Sequence, residues 1–287
     1  MKKRFAWGLG GVALAVTVIA GPVFAADMAV KARPRAAPAV VYNWTGGYVG
    51  GNVGGVVNDT RDDVFPSGCF LTSVTCGLGP VANPIRSDSN RLNQAAFTGG
   101  AQAGYNWQMN RWVLGVEGDI NYNGINDGVT VARPMVAPLA GTMLHSESDK
   151  LQWFGTVRGR AGVTATPNLL LYATGGLAFG QVKSASAVAF TITPDTYAGS
   201  LDQTRFGWTV GGGGEWMFAQ NWSFKAEYLY VDLGKASYTD GCVNTAVCGS
   251  PPQVAPGASY QTDLRVREHV ARVGVNYHFA GPVVAKY

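Results

Sequence analysis

Charge is scarce in this chain. Asp, Glu, Lys and Arg make up 14% of its 287 residues, and the formal net charge is +4. Lys2, Lys3 and Arg4 supply three of the positive charges, so the rest of the chain carries only about +1. A near-neutral chain of this kind is no basic nucleic-acid binder. Histidine occurs three times, as His145, His269 and His278, and the four cysteines never stand in Cys-x-x-Cys spacing. A zinc site is therefore not expected, and no cofactor motif is present. After the N-terminus no apolar run is long enough for a membrane helix. The glycine run Gly211–Gly214 opens no helix, which removes the phosphate-loop reading. What is abundant is glycine, at 39 residues, and aromatics, at 11%. That balance fits a barrel of strands better than a soluble α/β enzyme.

The ends divide the chain. Residues 1–25 read as a cleavable export signal: a basic start, the apolar stretch Phe5 to Ala20, and Val23-Phe24-Ala25 before the cut. Residues 26–41, with Lys31, Arg33, Pro34, Arg35 and Pro38, read as a flexible periplasmic arm. Residues 42–280 form the folded domain, and 281–287 a short tail.

Within 42–280 one pattern recurs eight times. In Val266–Phe279 one face reads His269, Ala271, Val273, Val275, Tyr277, Phe279. The other reads Glu268, Val270, Arg272, Gly274, Asn276, His278. Side chains of a strand alternate between faces, so this is a strand with one oily and one mostly polar side. The same alternation runs through 44–58, 97–108, 112–122, 150–164, 169–182, 204–218 and 222–233. In 150–164 it places Leu151 outward and Gln152 inward. The connections alternate between tight turns, at 109–111, 165–168 and 219–221, and long segments at roughly 59–93, 123–149, 183–203 and 234–262. The expectation is an all-β, eight-stranded antiparallel transmembrane barrel with short periplasmic turns and four long external loops. Trp44, Trp107, Trp112, Trp216, Phe218, Trp222 and Phe279 then fall at the periplasmic end, as an interfacial aromatic belt.

Several blocks together resemble the porin-like outer-membrane proteins of alphaproteobacteria, the RopB-like, opacity-protein-like group. They are Trp44-Thr-Gly-Gly-Tyr-Val-Gly-Gly-Asn-Val-Gly54, Trp153-Phe-Gly-Thr-Val-Arg-Gly-Arg-Ala-Gly162, Leu171-Tyr-Ala-Thr-Gly-Gly-Leu-Ala-Phe-Gly180, Trp222 to Gly234 and Arg272 to Phe279. The resemblance spans most of 42–280 and fails in the long connections. Gly47 departs from it, standing where a large aromatic is expected. It implies an outer-membrane barrel without a catalytic site, inserted by the outer-membrane assembly machinery, which reads an aromatic-ended last strand. Phe279 and Tyr287 both offer that ending.

An eight-stranded barrel has an interior that side chains fill. Inward charges should therefore pair. Counted from the turns, Glu117 lies level with Arg160, Asp119 with Arg158, Glu215 with Lys225, and Glu227 with Arg272. Such a network is either a salt-bridged filler or the lining of a narrow ion path. Cys69, Cys76, Cys242 and Cys248 are expected in disulfides, as an exported chain meets an oxidising compartment. Local pairs Cys69–Cys76 and Cys242–Cys248 are the leading scheme, with a cross-loop Cys69–Cys248 pair as rival. A lipid A-modifying enzyme would need a histidine, a nucleophile and a carboxylate converging, and neither His145 in its Ser-Glu-Ser setting nor His269 beside Glu268 supplies that. The functional expectation is a non-enzymatic surface protein that supports envelope integrity. Its partners are outer-membrane lipid or lipopolysaccharide and envelope or host surfaces reached by its loops.

Overall fold

The computed structural model describes residues 40–68, 87–135, 141–191, 196–243, 258–279 and 283–284. The export signal, most of the arm, Cys69, Cys76, Cys248 and Tyr287 lie outside them. Among the described residues every regular element is a strand: β1 (Val40–Val41), β2 (Gly46–Asn58), β3 (Thr60–Gly68), β4 (Asp88–Leu92), β5 (Ala95–Met109), β6 (Trp112–Pro134), β7 (Thr142–Thr166), β8 (Leu169–Phe190), β9 (Thr196–Ala219), β10 (Trp222–Cys242), β11 (Ala258–His278) and β12 (Val283–Val284).

Eight of these close a ring of antiparallel neighbours, β2–β5–β6–β7–β8–β9–β10–β11, and β11 pairs back onto β2. Closure removes the unpaired edges that an open sheet would expose to lipid. Beyond Asn58 the first strand continues as β3, which pairs with the outer half of β11, and β4 adds beside it. The end of the arm and the tail meet, Val40 opposite Val284 and Val41 opposite Val283.

The alternation sorts residues as the physics of a barrel requires. Val49, Val53, Val57, Leu114, Val116, Ile120, Val157, Leu177, Val210 and Val273 face outward and are exposed. Tyr48, Asn52, Thr98, Gln102, Glu117, Asp119, Arg158, Arg160, Thr209, Glu215 and Arg272 face inward and are buried.

Two expectations need correction. Among the described residues, the segments read as external loops are largely strand. β6 runs to Pro134, β7 begins at Thr142, and their ladder continues unbroken from Ile125 opposite Leu151 to Pro134 opposite Thr142. Above the lipid an outward face need not be oily, so the hydrophobic signal fades although the hydrogen-bond ladder goes on. The second correction concerns β7, whose register slips against β6 and β8 between Leu151 and Phe154. Leu151 is buried inside, and Gln152 faces out beside Trp153. One extra residue in a strand does this.

Candidate functional site

Near the middle of the membrane the lumen holds four carboxylates, Glu117, Asp119, Glu215 and Glu227, and four cations, Arg158, Arg160, Lys225 and Arg272, all buried; a further buried carboxylate, Glu268, stands apart toward the outer side and accepts from Asn123 at 2.6 Å. Arg158 sits at the centre, 2.5 Å from Glu117, 2.8 Å from Asp119 and 3.0 Å from Glu227. Arg272 joins Asp119 at 2.9 Å and Glu227 at 2.7 Å. Lys225 reaches Glu117 at 2.6 Å, and Arg160 reaches Glu215 at 2.8 Å. Charge-assisted contacts of this length are the strong kind.

Two of the expected pairs form, Asp119–Arg158 at 2.8 Å and Glu227–Arg272 at 2.7 Å, and Arg160 comes within 3.8 Å of Glu117, but the register differs from that expected. Glu117 lies opposite Arg158, and Asp119 opposite Thr156. The β7–β8 turn projects further than the β5–β6 turn, with Val163 opposite Trp112 and three more residues of β7 beyond it. Counting from the turns therefore misplaces the β7 arginines by one layer. Lys225 and Glu215 are register neighbours, but their side chains part. Lys225 turns to Glu117, and Glu215 is taken by Arg160 and by His278 at 3.2 Å.

Neutral side chains that sequence reasoning missed complete the network. The Tyr48 hydroxyl donates to Glu117 at 2.6 Å and the Tyr172 hydroxyl to Glu227 at 3.0 Å. The Arg160 guanidinium stacks 3.9 Å over the Tyr172 ring. Asn276 donates to Glu215, and Gln102 to Asn276. Room for Tyr48 comes from Gly104, where a Cβ would collide with the Tyr48 hydroxyl and the Val116 carbonyl.

The charged layer is flanked by apolar ones. Toward the periplasm, Trp44, Val113, Leu170, Tyr172 and Met217 pack together. Trp44 is wholly buried and donates its indole N–H to the Pro167 carbonyl at 3.2 Å. It is therefore no belt residue: it precedes β2 and folds into the barrel mouth. The other six expected belt residues, Trp107, Trp112, Trp216, Phe218, Trp222 and Phe279, face outward. A second outward aromatic group, including Phe97, Tyr122, Phe206, Trp208 and Tyr228, lies toward the opposite end. On the other side of the charges, Val56, Ile125, Leu151, Phe154, Leu229, Val231, Leu233, Leu264 and Val270 fill the interior.

Farther out lies another polar cluster, in a region the sequence reading treated as loop. Asp62, Glu147, Asp149 and Asp240 are buried there, with His145 wholly enclosed. His145 lies 3.1 Å from Asp88 and 2.9 Å from Glu147, and Arg133 holds Asp88 at 3.0 Å. No donor meets the Asp62 oxygens: the carboxyls of Asp149 and Glu147 face them. Burial, reinforced by those neighbours, pushes Asp62 up to about 10, and burial pushes Asp149 up to about 6. Glu147 and Asp88 outweigh burial at His145 and raise it, while His145 and Arg133 hold Asp88 below its ordinary value. Among the described residues no group of three or more His, Cys, Asp or Glu is placed to hold a metal ion.

The three histidines can be compared with a nucleophilic site. The bonded neighbours of His145 are Asn90, Asp88 and Glu147. His269 faces outward and meets the Tyr228 hydroxyl at 2.6 Å. His278 meets Ser223 at 2.9 Å and Glu215 at 3.2 Å through the same nitrogen, Nε2. A relay needs the two ring nitrogens to face acid and nucleophile separately, and this buried trio does not do that. Cys242 is disulfide-bonded.

The sequence profile described as outer membrane protein beta-barrel domain matches residues 12–279. The chain is 37% identical over 267 residues to the 31 kDa outer-membrane immunogenic protein of Brucella melitensis biotype 1, covering 91% of this chain and 95% of that one. It is 37% identical over 142 residues to the 22 kDa outer membrane protein of Rhizobium leguminosarum bv. viciae, covering 50% of this chain and 55% of that one. Among solved structures, the outer membrane protein OprG from Pseudomonas aeruginosa matches with a TM-score of 0.44 at 11% identity, over 84% of this chain and 100% of that one.

Proposed function

This chain belongs to the outer membrane protein beta-barrel domain family and lies in the outer membrane, and from that premise we propose that it is a closed, non-enzymatic surface barrel. Its work is to support envelope integrity and to present its outer strands and their connections to the surroundings. The observation that carries this reading is the filled lumen. Four carboxylates and four cations neutralise one another between two apolar layers. An ion crossing that stack would have to displace paired buried charges and then pass a dry layer, both costly steps. The Brucella relative is named as immunogenic, which supports a surface role here. Outer-membrane lipid and the assembly machinery are its general partners, the latter reading the strand that ends at Phe279.

The rival is a narrow porin, favoured by the polarity of the inner face. Planar-bilayer recording and liposome swelling in small sugars separate the two. A closed barrel gives silence in both. Steady conductance that changes in Arg158→Ala would establish the porin. Lipid A acyl composition, compared with and without the protein, should stay the same; altered acyl chains would restore the enzyme reading.

A further inference from the structure

Four cations stand in one line across four neighbouring strands. Lys235 on β10 is opposite Arg265 on β11, Arg265 is opposite Arg61 on β3, and Arg61 is opposite Arg91 on β4. All four lie on the outward face. Arg61 and Arg91 are 57% and 62% exposed, and Arg265 is 40% exposed. Adjacent strands are about 4.8 Å apart, and like charges directly opposite each other destabilise a sheet. Neighbouring carboxylates offset part of this repulsion, and an anion lying across the row would offset the rest.

The row lines a cleft of about 230 Å³ together with Arg267, Asp59, Asp63, Asp263 and Leu264. Five cations stand against these three carboxylates and Asp232, which Arg265 and Arg267 share, and that leaves an excess of one positive charge. Arg61 pairs with Asp63 at 3.1 Å, Arg91 with Asp59 at 3.3 Å, and Arg265 and Arg267 share Asp232 at 2.8 and 3.5 Å. Among the described residues Lys235 makes no ion pair. The acids Asp63 and Asp263 are opposite one another two residues farther out, while Asp59, whose N–H donates to the Arg267 carbonyl, stands on the lipid side of the row.

Height identifies the ligand. His269, packed 5.3 Å from the Tyr230 ring, belongs to the aromatic group at the outer edge of the oily band. Arg265 is four residues beyond it on the same face. At about 3.4 Å per residue on a tilted strand, the row stands roughly 10 Å above that edge. The headgroup layer extends about 5–8 Å past the hydrocarbon, so the row stands at its outer margin.

We propose that the Lys235–Arg265–Arg61–Arg91 row is a binding site for the phosphate groups of an outer-leaflet glycolipid of the lipid A type. Phosphates spaced along a sugar backbone match a line of cations better than a single point charge does, and arginine forks suit phosphate oxygens. The proposal deepens the surface-interaction reading and is independent of whether the lumen conducts, so the bilayer result cannot decide it.

The test uses the full protein purified from outer membranes in mild detergent, with calorimetric titration by three probes: diphosphorylated lipid A, the same lipid A with its phosphates removed, and inorganic phosphate. The protein should bind the phosphorylated lipid at least tenfold more tightly than the dephosphorylated one, with a preference that falls as salt rises. Each cation near a charged lipid surface contributes about fivefold. Arg61→Gln with Arg91→Gln and Lys235→Gln should therefore abolish the preference, while Arg61→Lys with Arg91→Lys keeps most of it. Heat-modifiable gel mobility reports that the variants are folded. If a variant does not fold, the contrast between the lipid probes on the unaltered protein decides alone. Equal binding of both lipids, an unchanged triple variant, or complete displacement by millimolar phosphate would overturn the proposal.

Discussion

The membrane-level cluster and the outer cluster share one lumen and differ in stoichiometry. Around Arg158, four carboxylates meet four cations. Around Asp62, the acids Asp88, Glu147, Asp149 and Asp240 meet His145 and the half-exposed Arg133. Ionised groups taken out of water persist only when paired. At membrane depth lipid surrounds the wall and apolar layers close both ends, so balance has to come from within. The outer cluster lies beyond the lipid, where protons can be exchanged with solution. It can remain acid-rich by holding them. The apolar layer through Leu151, Phe154, Leu229 and Val270 keeps the two regimes apart.

The strongest test of this contrast removes the hub of the balanced cluster. Arg158→Met leaves Glu117, Asp119 and Glu227 short of a cation and should cost about 3–5 kcal/mol, read from guanidinium unfolding of the refolded protein. A loss below about 1 kcal/mol would mean the network tolerates imbalance, and the contrast would fail. In the outer cluster the opposite sign is expected. Asp62→Asn removes an acid that no donor meets and should stabilise by about 1–3 kcal/mol at neutral pH. Destabilisation there would show that the acid is needed charged.

A smaller effect, per pH unit, comes from titration. Asp149 and Asp62 bind protons more tightly folded than unfolded. Their contribution is fully present at low pH and is lost as pH rises from about 4 through about 6 for Asp149 and toward about 10 for Asp62. His145, raised above its usual value, also loses its contribution as pH rises through its folded value. Asp88 works the other way and loses its contribution as pH falls. The outer halves of β3 and β7 should therefore be most protected near pH 5, weakening by up to about 1.4 kcal/mol per pH unit for each proton difference. Hydrogen exchange at pH 5 and pH 8, corrected for intrinsic rates, measures this. Equal protection at both values would refute the proton-holding account.

What could be read in the chain follows from where lipid acts. Between the two aromatic groups, lipid demands an oily outward face, so Val49, Val116 and Val273 announce their strands and the inward charges follow by alternation. Outside the lipid that demand ends. Asp62, His145, Glu147 and Asp149 sit on strands that carry no oily face to mark them. Pairing was harder to read than facing. Arg158 and Arg160 both point inward, but only the unequal reach of two turns decides which one stands opposite Glu117. Trp44 folds into the mouth although a tryptophan suits an interface and a plugged mouth equally well. Composition cannot separate them.

The slip in β7 has an evolutionary corollary. Inside it, even-numbered residues from Phe154 to Arg160 point into the barrel; beyond it, odd-numbered residues from Leu151 to His145 do. The strand thus changes reading frame at Gln152. Losing one residue at that point would restore plain alternation along β7 and leave every side chain on its present side. Losing one elsewhere within the strand would turn inside out the residues between that point and either the slip or the end of the strand. Natural length variation in this strand should therefore collect at Gln152 and Trp153.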